Sequence, residues 1–192
     1  ALPLEVTLTD ANGNPVSGAT ITFTAPLSGA SAAFTPANGE DVTDALGVAS
    51  VLATANTVAG GYSVTAAIGA VNTTFTLTNT AGAAAAMTIT GGNNQNTPFG
   101  TAFAAPLEVT ITDSFSNPVS GVLVTFTAPV SGASATFTPA NGEDTTDAAG
   151  AASVLATANG TVGAYSVTAT AGALNASFSL KNMSAAPDTI TK

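Results

Sequence analysis

The chain of 192 residues has no cysteine, no histidine and no tryptophan, and only two basic side chains, Lys181 and Lys192. Without cysteine there is neither a disulfide framework nor a thiolate metal site. Without histidine the many serines have no imidazole base, and a serine-based triad is excluded. A formal net charge of -9 with so few cations leaves a surface that repels phosphate, which excludes nucleic acid and anionic membrane as partners. No uninterrupted apolar run is long enough to span a bilayer. No basic stretch precedes an apolar one near the start, so no secretory leader is expected within these residues. Between Ala1 and Leu180 there is no Lys or Arg for a trypsin-like protease to cut, which suits a protein exposed outside the cell.

What the chain does have is a repeat. Sliding the sequence against itself gives one dominant match at an offset of 103 residues, taking Pro3 to Pro106, Asp44 to Asp147 and Tyr62 to Tyr165 without a gap from Pro3 to Asn79. The stretches SGASAAFTPANGEDVTDALG (Ser28 to Gly47) and SGASATFTPANGEDTTDAAG (Ser131 to Gly150) are nearly identical. Duplication at this length means tandem domains, each large enough to bury its own core.

Within each copy, apolar residues alternate with Thr and Ser at period two, the pattern of strands with one buried face. Leu4, Val6 and Leu8 share a face; Ile21 and Phe23 form a second strand, and Tyr62, Val64 and Ala66 another. Val71, Thr73, Phe75 and Leu77 make the last. Ala49, Val51 and Ala53 form a strand whose inward face is ambiguous, because Val48 and Leu52 are apolar too. Turn signals separate them: ANGNPVSG at Ala11 to Gly18, PANGED at Pro36 to Asp41, TDALG at Thr43 to Gly47 and AGG at Ala59 to Gly61. Asn-Gly suits tight turns and Pro is excluded from strand interiors. AGAAAAM (Ala81 to Met87) reads as a linker into another strand, AAAAMTIT (Ala83 to Thr90). The expectation is an all-β chain of two tandem immunoglobulin-like antiparallel β-sandwiches. Residues 1–82 form the first, lacking its first strand; residues 83–183 form the second; the tail 184–192 resembles the first strand of a further repeat. Tyr62 and Tyr165 open the penultimate strands in G-x-Y-x-V settings, where such sandwiches place a tyrosine corner, which makes them structural.

These residues resemble the bacterial immunoglobulin-like domains of the invasin and intimin type, found as tandem arrays in large surface proteins. The resemblance rests on PLEVTLTDANGNPVSGATITFTAP, TDALGVAS, TANTVAGGYSVTA and FTLTN in the first copy. The second carries PLEVTITDSFSNPVSGVLVTFTAP, TDAAGAAS, TANGTVGAYSVTA and FSLKN. It implies extracellular spacer domains of a bacterial surface protein, partnered by neighbouring repeats and by a host or cell-surface ligand. Family membership alone does not say that these two domains bind anything.

Candidate sites are few. Glu40, Asp41 and Asp44, repeated as Glu143, Asp144 and Asp147, cluster carboxylates of the kind that bind Ca²⁺; the competing reading is a solvated loop in which Asp44 shapes the turn into Gly47. No other cofactor is expected. DANGN (Asp10, Asn12, Asn14) has alternating oxygen ligands, yet its counterpart DSFSN puts Phe115 at the Asn12 position and the downstream acid of a calcium loop is missing. Paired acids without an aromatic cleft do not make a glycosidase, and no enzyme is expected. Asn72, Asn159, Asn175 and Asn182 sit in N-x-S/T sequons. Three roles remain: a rod-like stalk or fibre module, a filament subunit polymerising head to tail, and a carbohydrate-binding module, which needs exposed aromatics on one face. In the filament the strand-exchange tail is Ser184, Ala185, Ala186, Pro187, Asp188, Thr189, Ile190, Thr191 and Lys192, completing the first domain of a neighbour by donor-strand complementation.

Overall fold

The computed structural model describes residues 2–185, all of them strand, turn or loop. Among them no helix is long and apolar enough to cross a membrane. The chain divides between Ala81 and Gly82 into two compact units.

Unit 1 has seven strands: β1 (Leu4–Thr7), β2 (Thr20–Thr24), β3 (Ala32–Thr35), β4 (Glu40–Val42), β5 (Val48–Ala55), β6 (Gly60–Ile68) and β7 (Val71–Asn79). They form a three-stranded sheet, β1-β5-β3, and a four-stranded sheet, β4-β2-β6-β7, antiparallel throughout. The faces that alternate toward each other meet in one core, with Leu4, Ala49 and Val51 from the first sheet against Ile21, Phe23, Val64 and Ala66 from the second. The ambiguous strand is resolved: Ala49 and Val51 point inward and Leu52 is exposed. Pro36 to Asp41, read from sequence as a turn, contributes its last two residues to β4. Glu40 and Asp41 pair with Thr22 and Ile21 in the ladder, because Gly39 makes the turn at φ 69 early enough for the acids to run extended. The turn TDALG closes as its sequence indicates, on Asp44. Its carbonyl accepts the Gly47 N–H at 3.0 Å, and Gly47 is held at φ 76, where an added Cβ would strike the Leu8 carbonyl oxygen.

Unit 2 repeats this plan with nine strands: β8 (Ala86–Gly91), β9 (Gln95–Pro98), β10 (Leu107–Thr112), β11 (Leu123–Thr127), β12 (Ala135–Thr138), β13 (Glu143–Thr145), β14 (Ala151–Ala158), β15 (Gly163–Ala171) and β16 (Leu174–Met183). The last seven match the seven of unit 1. The two additional strands are edges. β8 lies antiparallel on β10, with Ile89 opposite Val109 and Met87 opposite Ile111. β9 lies parallel on β16, from Gln95 opposite Leu180 to Pro98 opposite Met183. The stretch read as a linker thus enters a sheet at Ala86, and Ala84 already packs on the core. β9, QNTP, is a strand that no periodicity announces, since its polar residues and proline are tolerated only at an edge.

Candidate functional site

The acidic cluster is built into the fold rather than gathered around a point. Asp41 reaches from β4 to the other sheet, its Oδ2 accepting the Ser50 N–H at 2.7 Å; Asp144 does the same with Ser153 at 2.7 Å. Asp44 Oδ1 accepts the N–H groups of Leu46 and Val48 at 2.8 and 2.9 Å, and Asp147 those of Ala149 and Ala151. Glu40 and Glu143 each accept from an asparagine amide two residues earlier, Asn38 at 3.0 Å and Asn141 at 2.8 Å. All six carboxylates therefore hold donors of their own. Among the described residues no group of three or more His, Cys, Asp or Glu side chains converges so as to hold a metal ion.

Asp10 and Asp113 each close a turn on themselves. Asp10 Oδ1 accepts the N–H groups of Asn12 and Asn14, and the Asn14 amide donates to both carboxylate oxygens. Asp113 accepts from the N–H groups of Phe115 and Asn117 and from the Asn117 amide, and its Oδ2 takes one more donor, the Gly82 N–H at 2.8 Å. These donors, the Asn117 amide first and then Gly82, lower the Asp113 carboxyl from 3.8 to about 2. Asp10 is lowered too, with the Asn14 amide as the main cause.

Tyr62 and Tyr165 pack against the two cores. The Tyr165 hydroxyl is buried with no hydrogen-bond partner among the described residues, and loss of hydration pushes its phenol up to about 12. A corner bond from this hydroxyl is therefore not made, and the ring serves by packing. The end of the last strand is fastened instead by an asparagine to which the sequence drew attention only as a sequon. The Asn182 amide donates to Ser134 O, Asn159 Oδ1 and Thr161 O at 3.0 to 3.1 Å; Asn79 does the same with Ser31, Asn56 and Val58. Asn182 is wholly buried, so the folded chain offers no acceptor for glycan at that sequon.

The feature that separates the two units is the arm of unit 2, running from Gly82 to Phe103. Met87 and Ile89 pack on the core from one sheet edge, and Phe103 closes it at 5% exposure. Polar side chains fix the path. Thr90 Oγ1 donates to Glu108 Oε1 at 2.8 Å, and Asn93 Oδ1 accepts the Ser179 N–H at 2.9 Å. The Gln95 amide donates to the carbonyls of Gly92 and Ala105, while its Oε1 accepts the Ala105 N–H, all at 2.8 Å. Gly92 turns at φ 73 directly against Pro106, where any Cβ would collide with the Pro106 carbonyl oxygen. Under the arm Val109, Ile111 and Phe178 are 0% exposed. Their counterparts Val6, Leu8 and Phe75 are only partly buried. Among the described residues no strand pairs with the outer edges of β1 and β7. A cavity of about 130 Å³ opens between those edges, lined by Val6, Leu8, Ile21, Ile68 and Val71 among others.

Residues 1–80 match the family model of the bacterial Ig-like domain, group 1. That match covers unit 1. Unit 2 repeats its sequence at the 103-residue offset and its seven matching strands in the same sheet order. Among solved structures, InvD of Yersinia pseudotuberculosis superposes with a TM-score of 0.66 at 20% identity, over 98% of this chain and 54% of InvD. At that identity the likeness shows the fold, and the chain spans about half of InvD's length. Invasin, described as a bacterial integrin-binding protein, gives a TM-score of 0.46 at 21% identity, over 96% of this chain and 36% of its own. The Escherichia coli adhesin FdeC gives 0.46 at 20%, over 93% and 58%. No curated protein matches the chain.

Proposed function

We propose that the chain is a non-enzymatic structural and adhesive repeat module of a bacterial secreted or cell-surface protein, serving as a stalk of tandem bacterial Ig-like domains. The observation that carries this reading is the match of residues 1–80 to the bacterial Ig-like family together with its repetition along the chain. The chemistry agrees. The carboxylates that a hydrolase or a metal site would need are engaged in shaping turns and bracing sheets. Antiparallel ladders and the scarcity of Lys and Arg suit a spacer exposed to load and to proteases. Small-angle scattering on the full chain tests the stalk: a narrow distribution of end-to-end distances is expected, and two freely swinging bodies would sink it. A binding screen on host-cell surfaces, with a glycan panel alongside, tests the adhesive part.

A second reading has one observation in its favour, the likeness of residues 184–191 to the strand sequence of residues 83–90. The chain would then be an extracellular filament subunit, polymerising head to tail by strand complementation through residues 184–192, of which 186–192 lie outside the described residues. Negative-stain microscopy of the chain with and without these residues decides it. Filaments lost on deletion support the reading, and polymerisation that survives deletion ends it.

A further inference from the structure

The sequence contains four Asn-Gly steps, beginning at Asn12, Asn38, Asn141 and Asn159, and the fold treats them differently. Asparagine followed by glycine is open to spontaneous deamidation, because glycine has no Cβ to obstruct its nitrogen as it approaches the asparagine Cγ. The reaction needs a side chain free to swing and a nitrogen that solvent base can reach. Hydrogen bonds that hold the side chain must break first, and slow it.

Asn159 is the most firmly held. Its Oδ1 accepts the N–H groups of Ser134 and Thr161 at 3.2 and 3.1 Å and the Asn182 amide at 3.0 Å, and its own amide donates to the Gly132 carbonyl at 2.8 Å. Asn38 and Asn141 are each held by the acid two residues on. The Glu40 N–H donates to Asn38 Oδ1 at 3.2 Å and the Asn38 amide to Glu40 Oε2 at 3.0 Å; Asn141 and Glu143 repeat this at 3.3 and 2.8 Å. Gly39 and Gly142 are also buried, against the carbonyl oxygens of Phe23 and Phe126. Asn12 is exposed. Its main-chain N–H donates to Asp10 Oδ1 at 2.8 Å, while its side-chain amide has no partner among the described residues. Gly13 turns at φ 84 with nothing within 4 Å of the place a Cβ would take. The glycine N–H bond to the carbonyl three residues back is common to Gly13, Gly39 and Gly142, so side-chain bonds and burial make the difference. The exposure belongs to the turn itself. Phe115, at the matching position of unit 2, is 62% exposed with the arm in place, and Ser116 takes φ 67 where Gly13 takes 84.

We propose that Asn12-Gly13 is a self-modifying site, at which the folded chain converts asparagine to aspartate and isoaspartate, while the fold protects the same dipeptide elsewhere. This stands independently of the stalk and filament readings. The Gly13 nitrogen attacks Asn12 Cγ and gives up its proton, and the Cγ–Nδ2 bond breaks as that nitrogen, taking up a proton, leaves as ammonia. Water then opens the cyclic imide at either carbonyl. One route restores the main chain with aspartate; the other leaves an isoaspartyl link that runs through the former side chain. Either product sets a carboxylate two residues from Asp10, whose Oδ1 accepts the N–H groups of Asn12 and Asn14. Like charges there, and the longer isoaspartyl path, loosen the turn of unit 1.

Peptide mapping of the folded full chain, aged at mildly alkaline pH, tests this. Asn12 is expected to react first, Asn38 and Asn141 about tenfold more slowly and alike, and Asn159 slower than Asn12 by about a hundredfold or more. In urea the four rates converge. Asn12→Ser removes the early product. Phe115→Asn together with Ser116→Gly moves the step into the matching turn of unit 2, where it is expected to react at a rate close to that of Asn12. Asn159 keeping pace with Asn12 in the folded chain overturns the proposal. So does an order that survives in urea, which would assign it to neighbouring sequence rather than to the fold. A moved step that stays intact overturns the assignment to the turn.

Discussion

Unit 1 and unit 2 place the same residue types at the same strand positions and bury them to different depths. Phe178 and Leu180 are 0% and 2% exposed, while Phe75 and Leu77 are half-buried. β10 runs six residues from Leu107 and its counterpart β1 four from Leu4. The seven shared strands and their registers match, so the arm is the architectural difference between the two units. Met87, Ile89 and Phe103 cover one sheet junction, and the added ladders extend the strands they join. Among the described residues, seven strands are enough to close a core in unit 1, while the outer edges of β1 and β7 stay unpaired and part of the apolar interior is only half-buried. Long open edges are sites of strand addition.

Removing the arm's anchor should make unit 2 resemble unit 1. Phe103→Ala is expected to destabilise unit 2 by about 3–5 kcal/mol and to leave unit 1 unchanged, read from denaturant midpoints with Tyr62 and Tyr165 as separate reporters in Tyr→Phe variants. Equal losses in both units would mean that the units do not fold independently. The same truncation at matched positions sharpens the contrast. Phe178→Ala should also cost about 3–5 kcal/mol, whereas Phe75→Ala, already part-solvated, should cost about 2 kcal/mol or less. Equal costs would show that Phe75 is covered in solution. A milder break is Gly92→Ala, which forces a side chain into a left-handed turn and against Pro106. About 1–3 kcal/mol should be lost from unit 2, with hydrogen exchange rising along Gln95–Pro98 rather than throughout the unit.

Most of the sandwich was legible because a half-buried strand announces itself by alternation. Ile21 and Phe23, Val64 and Ala66, and the Thr residues between them leave little choice of face. The parts that escaped were those whose position depends on a partner strand. Gln95–Pro98 has no apolar period, and its placement follows from main-chain pairing with β16 and from the reach of the Gln95 side chain, neither of which is local. Glu40 and Asp41 looked like a loop because acids beside Asn-Gly usually are one. Here they extend into a ladder, and Asp41 braces the opposite sheet through Ser50. The match between the units was legible for a different reason: an internal repeat supplies its own control, and the 103-residue offset pairs β10 with β1 strand for strand.

Acid separates the two units by their aspartate clamps. Asp113 is lowered from 3.8 to about 2, with the Asn117 amide the leading cause and the Gly82 N–H second. A carboxyl depressed in the folded state contributes stability that is present above its unfolded value and lost as the pH falls through the folded one. For Asp113 that window runs from about 4 down to about 2, and protonation there releases Gly82 and the start of the arm. Asp10 is shifted in the same direction but holds no arm among the described residues. The expected result is that on acidification from pH 4 to 2 amide exchange at Gly82 and Ala85 accelerates in the native chain, and in Asp113→Ala it is already fast at pH 5. Exchange there that ignores both pH and the substitution would show that the clamp does not hold the arm.

Calcium should give the smallest effect. A cation there would have to compete with main-chain N–H groups at 2.7 to 3.0 Å for the oxygens of Asp41, Asp44, Asp144 and Asp147, and with asparagine amides for those of Glu40 and Glu143. Stripping Asp41 or Asp144 from its serine leaves a part-buried N–H without a partner, at a cost of about 1–3 kcal/mol, before any gain from coordination. Millimolar Ca²⁺ is therefore expected to leave the melting of both units where it stands in chelator. A saturable rise in one unit and not the other would instead show that the copies differ in their acidic loops as well as in their arms, and would place a ligand where the fold now has braces.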